Sequence, residues 1–390
     1  MSMRYRVLGA ATVGLAIGYS NLAFATFGLF VLPLSQAYGW ARSEISLAFM
    51  IMTYSVVLAA PTLGLLIDAL GVRRVLLPAM GLFAIAIGSL AFVEGRLWQF
   101  YLTYFFIAAF GAGTLPTSYT KVLISWFDEN RGLAFGIALA GIGVGAMLIP
   151  LIVNNLLASG GLQAAYLGLA GLALFLGLPV VGLFLWERPT TDAPEVSAAK
   201  PHLLLLLRNP IFLKLAFAFA LLGFFTAATF AHLVPLLVDR GVSAARAAMT
   251  MSALAGALTI GRLGAGWLLD RVFAPYIVTS FLVAPFLGIA ILSAGAGGDV
   301  ALMCAVLLGL GIGAELDFMS YLVSRYLPTD SYARNYGMIY AAFSLGAGLG
   351  PLFLSYVLEG LGAYTPGLVV IAVMILVAMS TLLTMGKYRT

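Results

Sequence analysis

Long apolar stretches separated by short polar breaks dominate the chain. A helix that crosses the hydrocarbon layer of a bilayer needs about 20 mostly apolar residues. Twelve stretches meet that condition: 7–34, 44–67, 74–93, 98–124, 132–158, 162–186, 211–238, 244–269, 275–295, 299–324, 336–358 and 363–386. They are too long for strands and lack period-two alternation, which excludes a membrane β-barrel. The one long polar connection runs from Glu187 to Asn209 and holds Pro189, Pro194 and Pro201 among mixed charges. It divides the chain into 1–186 and 210–390, with 187–209 as the linker. The expected fold class is an all-α integral membrane protein with 12 transmembrane helices and almost no soluble part.

Composition strengthens this picture. Of 390 residues, 62% are hydrophobic and 9% charged, against about 25% charged in soluble domains. A mean hydropathy of +1.06 is too high for one globular core to hide, because surface-to-volume scaling forces many residues outward. Those residues must face lipid. The net charge of +5 is modest, and no basic patch suggests nucleic acid. The single cysteine, Cys304, cannot close an intramolecular disulfide and has no metal-ligand spacing around it. Neither a metal nor a cofactor is expected. The first apolar run continues to about Leu34, longer than the core of a signal peptide, so it reads as a retained helix.

Charge also gives orientation. If both termini lie on one side, that side collects Arg4, Arg6, Arg73, Arg74, Arg131 and most of the other Lys and Arg, while Arg42, Arg96, Arg240 and Arg246 fall opposite. The positive-inside rule then makes both termini cytoplasmic.

The chain repeats itself. Gly64 and Asp68 recur as Gly266 and Asp270, and Pro33 as Pro235, at an offset of 202. Gly136, Gly145 and Pro150 recur as Gly337, Gly346 and Pro351 at 201, and Ala25–Phe27 recurs as Ala228–Phe230 at 203. The second half is a diverged copy of the first with the same topology, a construction common among secondary transporters.

The stretch from Gly64 through Asp68 and Gly71 to Arg73 and Arg74 resembles the major facilitator signature between helices two and three. The glycine-rich fifth span, Gly141, Gly143 and Gly145 closed by Pro150, fits as well. The resemblance covers essentially the whole chain. It implies the MFS fold of two pseudo-symmetric six-helix bundles, a monomeric transporter and a cell inner (plasma) membrane location. It also implies a cytoplasmic gate at Asp68, Arg73 and Arg74, with Asp270 and Arg271 as the repeat copy. Physically, Asp68 at a helix C-terminus opposes the helix dipole, so it needs a partner such as Arg73, Arg74 or a neighbouring helix N-terminus. Ala37–Phe49 and Gly313–Tyr326 are similar to segments of bacterial relatives of monocarboxylate transporters and oxalate/formate antiporters.

Ionisable side chains inside spans are costly, roughly 2.5–3.5 kcal/mol each, and mark functional sites by default. They are Lys121, His232, Arg262, Glu315 and Asp317. The resemblance implies that Arg262 binds the substrate carboxylate. In animal members an aspartate precedes that arginine by one turn; here the residue is Leu258, so the counter-charge must come from elsewhere. Glu315 and Asp317 lie about 200° apart around their helix and cannot share a face. Either can pair with Arg262, and both, with His232, are candidates for proton coupling. On the fourth span Thr114, Ser118, Lys121 and Ser125 share one helical face by spacing, and Tyr19, Asn21 and Thr26 are polar in the first span. Tyr19, Asn21, Thr114, Ser118, Lys121 and Arg262 are the candidate substrate contacts.

No nucleotide loop, metal cluster or triad-like set is present, so an enzyme is not expected. The expectation is a secondary active transporter of a small organic anion: proton-coupled monocarboxylate transport by alternating access, with a small carboxylate, protons and the bilayer as partners. A drug or metabolite exporter of the same fold is one alternative. A non-transporting membrane receptor or regulator is another.

Overall fold

A computed structural model describes residues 3–188, 206 and 208–388. Most of the proline-containing connection therefore lies outside the described residues. Eleven helical stretches are long and apolar enough to cross a membrane. One of them, Arg131–Phe184, has 54 residues, about 80 Å of helix against a hydrocarbon layer near 30 Å. It breaks at Gly160 (φ −145°, ψ 15°) and Gly161 (φ 64°, ψ −158°). A positive φ suits glycine, and two spans result. The described residues thus form twelve membrane-crossing segments.

We number them in chain order. α1 comprises Met3–Ala16, a π-helical stretch Ser20–Ala25 and Phe27–Tyr38. α2 is Arg42–Leu70, and α3 is Val72–Ser89 with a short 3₁₀ end. α4 runs Leu97–Gly111, then through a 3₁₀ turn at Ala112–Thr114 into Pro116–Trp126. α5 covers 131–159 and α6 covers 162–184. The second half holds α7 (Pro210–Asp239), α8 (Ala244–Leu269), α9 (Ala274–Ser293), α10 (Gly298–Tyr326), α11 (Tyr332–Leu361) and α12 (Thr365–Leu383).

Local chemistry sets several of these boundaries. α7 starts where Asn209 Oδ1 accepts from the Ile211 and Phe212 amides, with Pro210 at the first helical position. The break inside α4 has an equally direct cause. Pro116 has no N–H and disfavours helical geometry at the residue before it, and Leu115 is extended (φ −66°, ψ 162°).

The chain forms two compact units. The first contains residues 1–128, 137–188 and 330–337; the second contains 129–136, 189–329 and 338–390. Each unit thus includes a short segment from the other half of the sequence. Large apolar side chains such as Leu58, Ile85, Met147, Phe175, Ile260 and Leu352 point outward, where lipid replaces water as the solvent of these helices.

Candidate functional site

The second unit holds the charged centre. Its α8 and α10 run very close together because glycines line their contact. A Cβ on Gly261 would overlap the Leu310 carbonyl, one on Gly309 that of Leu254, and one on Gly313 that of Leu258. This approach sets Arg262 of α8 directly against α10. Its Nε donates to the Gly313 carbonyl at 2.9 Å and to Asp317 Oδ2 at 3.1 Å. Arg262 is 4% exposed and Asp317 0%. The counter-charge missing at Leu258 therefore comes from α10. Asp317 Oδ1 is buried without a partner, so half of this carboxylate is free to respond.

Glu315, two residues away, turns to a different neighbour, as a separation of about 200° requires. Both of its carboxyl oxygens lie 2.7 Å from Thr226 Oγ1 on α7. His232, further along α7, has Nε2 at 3.0 Å from the Pro351 carbonyl and Nδ1 at 3.4 Å from the Tyr364 hydroxyl. A carbonyl only accepts, so Nε2 carries a hydrogen, while the Tyr364 hydroxyl can donate to Nδ1 or accept from it.

In the first unit the buried polar groups of α1 and of the first part of α4 are uncharged. Asn21 sits in the π-helical stretch of α1 and donates to the carbonyls of Leu15 (3.4 Å) and Ala16 (3.0 Å). Its Oδ1 is buried without a partner. Thr114 Oγ1 donates to Gly111 and accepts from the Tyr19 amide at 2.9 Å, fastening α4 to α1. Ser118 donates to the Gly113 carbonyl, and Thr26 to that of Leu22. The expected single polar face of the fourth span is interrupted. Thr114 precedes the Pro116 break, while Ser118, Lys121 and Ser125 follow it.

Lys121 meets Asp68, with Nζ 2.5 Å from Oδ1. The same carboxylate accepts from the backbone amides of Ala333 (3.1 Å) and Arg334 (2.8 Å). Those amides belong to the first turn of α11, where unpaired N–H groups and the helix dipole favour an anion. Asp270 does the same for α5, accepting from Gly132 (2.6 Å) and Leu133 (2.8 Å). The sequence repeat thus reappears as geometry: both the carboxylates and the amides they cap are related by the offset of the duplication. Gly64 and Gly266 permit it, since a Cβ on Gly64 would overlap the Ala333 carbonyl and one on Gly266 would crowd that of Gly132. Burial pushes the Asp270 carboxyl above its ordinary range, and the two amides pull it back.

Of the partners expected for Asp68, the neighbouring helix N-terminus is present and the two arginines turn elsewhere. Arg73 stacks on the Trp186 ring at 3.5 Å and donates to the Leu185 carbonyl, and Arg74 is exposed. Arg271 folds back on Trp267 of its own helix. The short turn after α2 carries Arg73 and Arg74 onto α3 and away from the carboxylate, and Lys121 reaches it from α4 instead. Sequence reasoning also missed Thr226 and Trp186. A lone threonine in an apolar span reads like any backbone-bonded hydroxyl, and no residue spacing links Trp186 to Arg73.

A family model of the Major Facilitator Superfamily matches residues 12–351. The chain belongs to that superfamily; it is a multi-pass membrane transporter rather than an enzyme, and its partner is a small-molecule substrate. It is 26% identical over 290 residues to MFS transporter asaE of Aspergillus flavus, covering 73% of this chain and 64% of the fungal protein. With Monocarboxylate transporter 13 of Rattus norvegicus it shares 25% identity over 367 residues, 93% of this chain and 85% of the rat protein. The crystal structure of the human organic anion transporter MFSD10 has a TM-score of 0.79 at 17% identity, covering 98% of this chain and 100% of that one. At that identity the likeness is one of fold.

Proposed function

We propose that this transporter carries a small monocarboxylate together with a proton, and that Arg262 holds the carboxylate. The observation that carries this reading is the buried Arg262–Asp317 pair, in which one carboxylate oxygen has no partner. A guanidinium is always charged and fits a carboxylate through two parallel N–H groups. An incoming carboxylate therefore competes with Asp317 for the same donor. Once displaced, Asp317 is a buried anion without a counter-charge, which costs several kcal/mol unless it takes up a proton. Anion and proton enter together, and the site stays neutral throughout the alternating-access cycle. The monocarboxylate transporters among its relatives support this substrate class.

In the first unit, Asn21 Oδ1 is a buried acceptor open to a donor. Tyr19, Thr114 and Ser118 shape the surrounding α1–α4 contact, and Lys121 acts with Asp68. Asp68 and Asp270 form the two halves of a cytoplasmic gate, with Arg73, Arg74 and Arg271 at the inner membrane surface beside both termini. The test is uptake into proteoliposomes of labelled acetate, lactate, pyruvate and oxalate, with and without an inward proton gradient. Gradient-driven uptake of a monocarboxylate that disappears in Arg262→Ala is expected. Equal uptake by that variant overturns the reading.

A further inference from the structure

Glu315 is the buried acid that the exchange at Arg262 does not use. It is 2% exposed, and both of its oxygens lie 2.7 Å from one hydroxyl, that of Thr226. That hydroxyl is unusual among the threonines of the spans. Thr12, Thr53, Thr62, Thr120 and Thr259 each turn their hydroxyl to the carbonyl four residues back, the ordinary solution in an apolar helix. Thr226 instead points across to α10.

Two short contacts to one hydroxyl need two hydrogens to be good hydrogen bonds. An ionised carboxylate is an acceptor only, and threonine has one hydrogen to give. A neutral carboxylic acid supplies the second. Its O–H donates to Thr226 Oγ1, while the threonine O–H donates back to the acid carbonyl. Both contacts are then satisfied in a closed acid–alcohol pair.

The surrounding charges agree. On α8, Arg262 already has its Nε on Asp317. On α10 itself the neighbouring charge is Asp317, another anion. On α7, Lys214 and Asp239 lie at the two ends, and His232 turns to the Pro351 carbonyl and the Tyr364 hydroxyl. On α9 there is no Asp, Glu, Lys, Arg or His. Of these groups Arg262 is the counter-charge that acts on Glu315, but its Nε is already given to Asp317, and one guanidinium facing two buried carboxylates leaves a second negative charge strongly disfavoured.

We infer that Glu315 is held as a neutral acid by Thr226, and that this fixed proton sets the net charge of the site. With Glu315 neutral, Arg262 and Asp317 sum to zero, and an anion entering with one proton leaves the sum unchanged. With Glu315 ionised the site would already be negative and would repel an anion. Glu315 and Thr226 are thus specificity-determining residues for anionic cargo, and Asp317 is the acid that exchanges its proton. This rests on the anion reading above, but its test does not.

The test is infrared difference spectroscopy of the purified full-length chain at neutral pH, without substrate, following the carbonyl stretch of a protonated carboxylic acid. Wild type should show one such band. It should vanish in Glu315→Gln, shift upward in Thr226→Val as its hydrogen bonds are lost, and return to its place in Thr226→Ser. It should persist in Asp317→Asn, because Asp317 is ionised when paired. Absence of the band in folded wild type, or its survival in Glu315→Gln, overturns the inference. If Arg262→Ala transports normally while the band behaves as stated, the anion reading fails and the neutral acid stands.

Discussion

The two halves of this transporter repeat each other at their ends and part company in their middles. Asp68 and Asp270 each cap the first turn of a helix through two backbone amides, with a glycine four residues earlier allowing the approach. Mid-membrane, the first unit offers amides and hydroxyls, whereas the second holds Arg262, Asp317 and Glu315. Duplication kept the parts whose chemistry is carried by backbone. Divergence acted on the buried side chains to which the proposed function assigns the cargo. The repeat copies of the proposed gate differ in their cations: Asp68 holds Lys121 at hydrogen-bond distance, whereas Asp270 has its two amides with Arg325 and Arg271 acting on it electrostatically.

The largest effect should come from the charged middle. Arg262→Ala leaves Asp317 buried and unpaired, so a loss of about 3–5 kcal/mol in stability is expected, along with loss of uptake. The double variant Arg262→Ala/Asp317→Asn should recover most of the stability but none of the uptake. Thermal unfolding in detergent, run beside transport, separates the two. A double variant as unstable as the single one would show that the pair is not the cause.

A smaller effect should distinguish the two helix-capping carboxylates. Asp68→Asn weakens charge-assisted hydrogen bonds worth about 1.5–3 kcal/mol and strands Lys121, so it should lower stability and uptake more than Asp270→Asn. Adding Lys121→Met to Asp68→Asn should bring the two sites level. Equal effects of the single substitutions would erase the distinction drawn between them. The smallest effect belongs to the neutral middle. Asn21→Ala removes donors to the Leu15 and Ala16 carbonyls and should cost about 1 kcal/mol, while Ser118→Ala, which loses one local bond, should change stability by about 0.5 kcal/mol or less.

Much of this was legible in the sequence because its causes are local or periodic. Span lengths follow from bilayer thickness, and the repeat offset marked Asp68 and Asp270 as counterparts. The angle between Glu315 and Asp317 made it clear that they reach different neighbours. What could not be read were partners across helices. Nothing in the spacing of Arg262 and Asp317, 55 positions apart, distinguishes that pair from Arg262 with Glu315; the glycines of α8 and α10 decide it by fixing how closely the backbones meet. The spacing of Lys121 within its polar stripe does not show that it reaches Asp68 on α2, and Pro116 sets Thr114 apart from the rest of the stripe. Thr226 carried no signal, since its hydroxyl differs from others only in where it points.

The central claim is that a carboxylate displaces Asp317 from Arg262 and that Asp317 then takes a proton. Calorimetric binding of the best-transported monocarboxylate to the purified protein near pH 7, repeated in buffers of different ionisation enthalpy, counts protons directly. The account predicts uptake of about one proton per anion bound, falling to none in Asp317→Asn. Saturable binding with no buffer dependence in the wild type would contradict it.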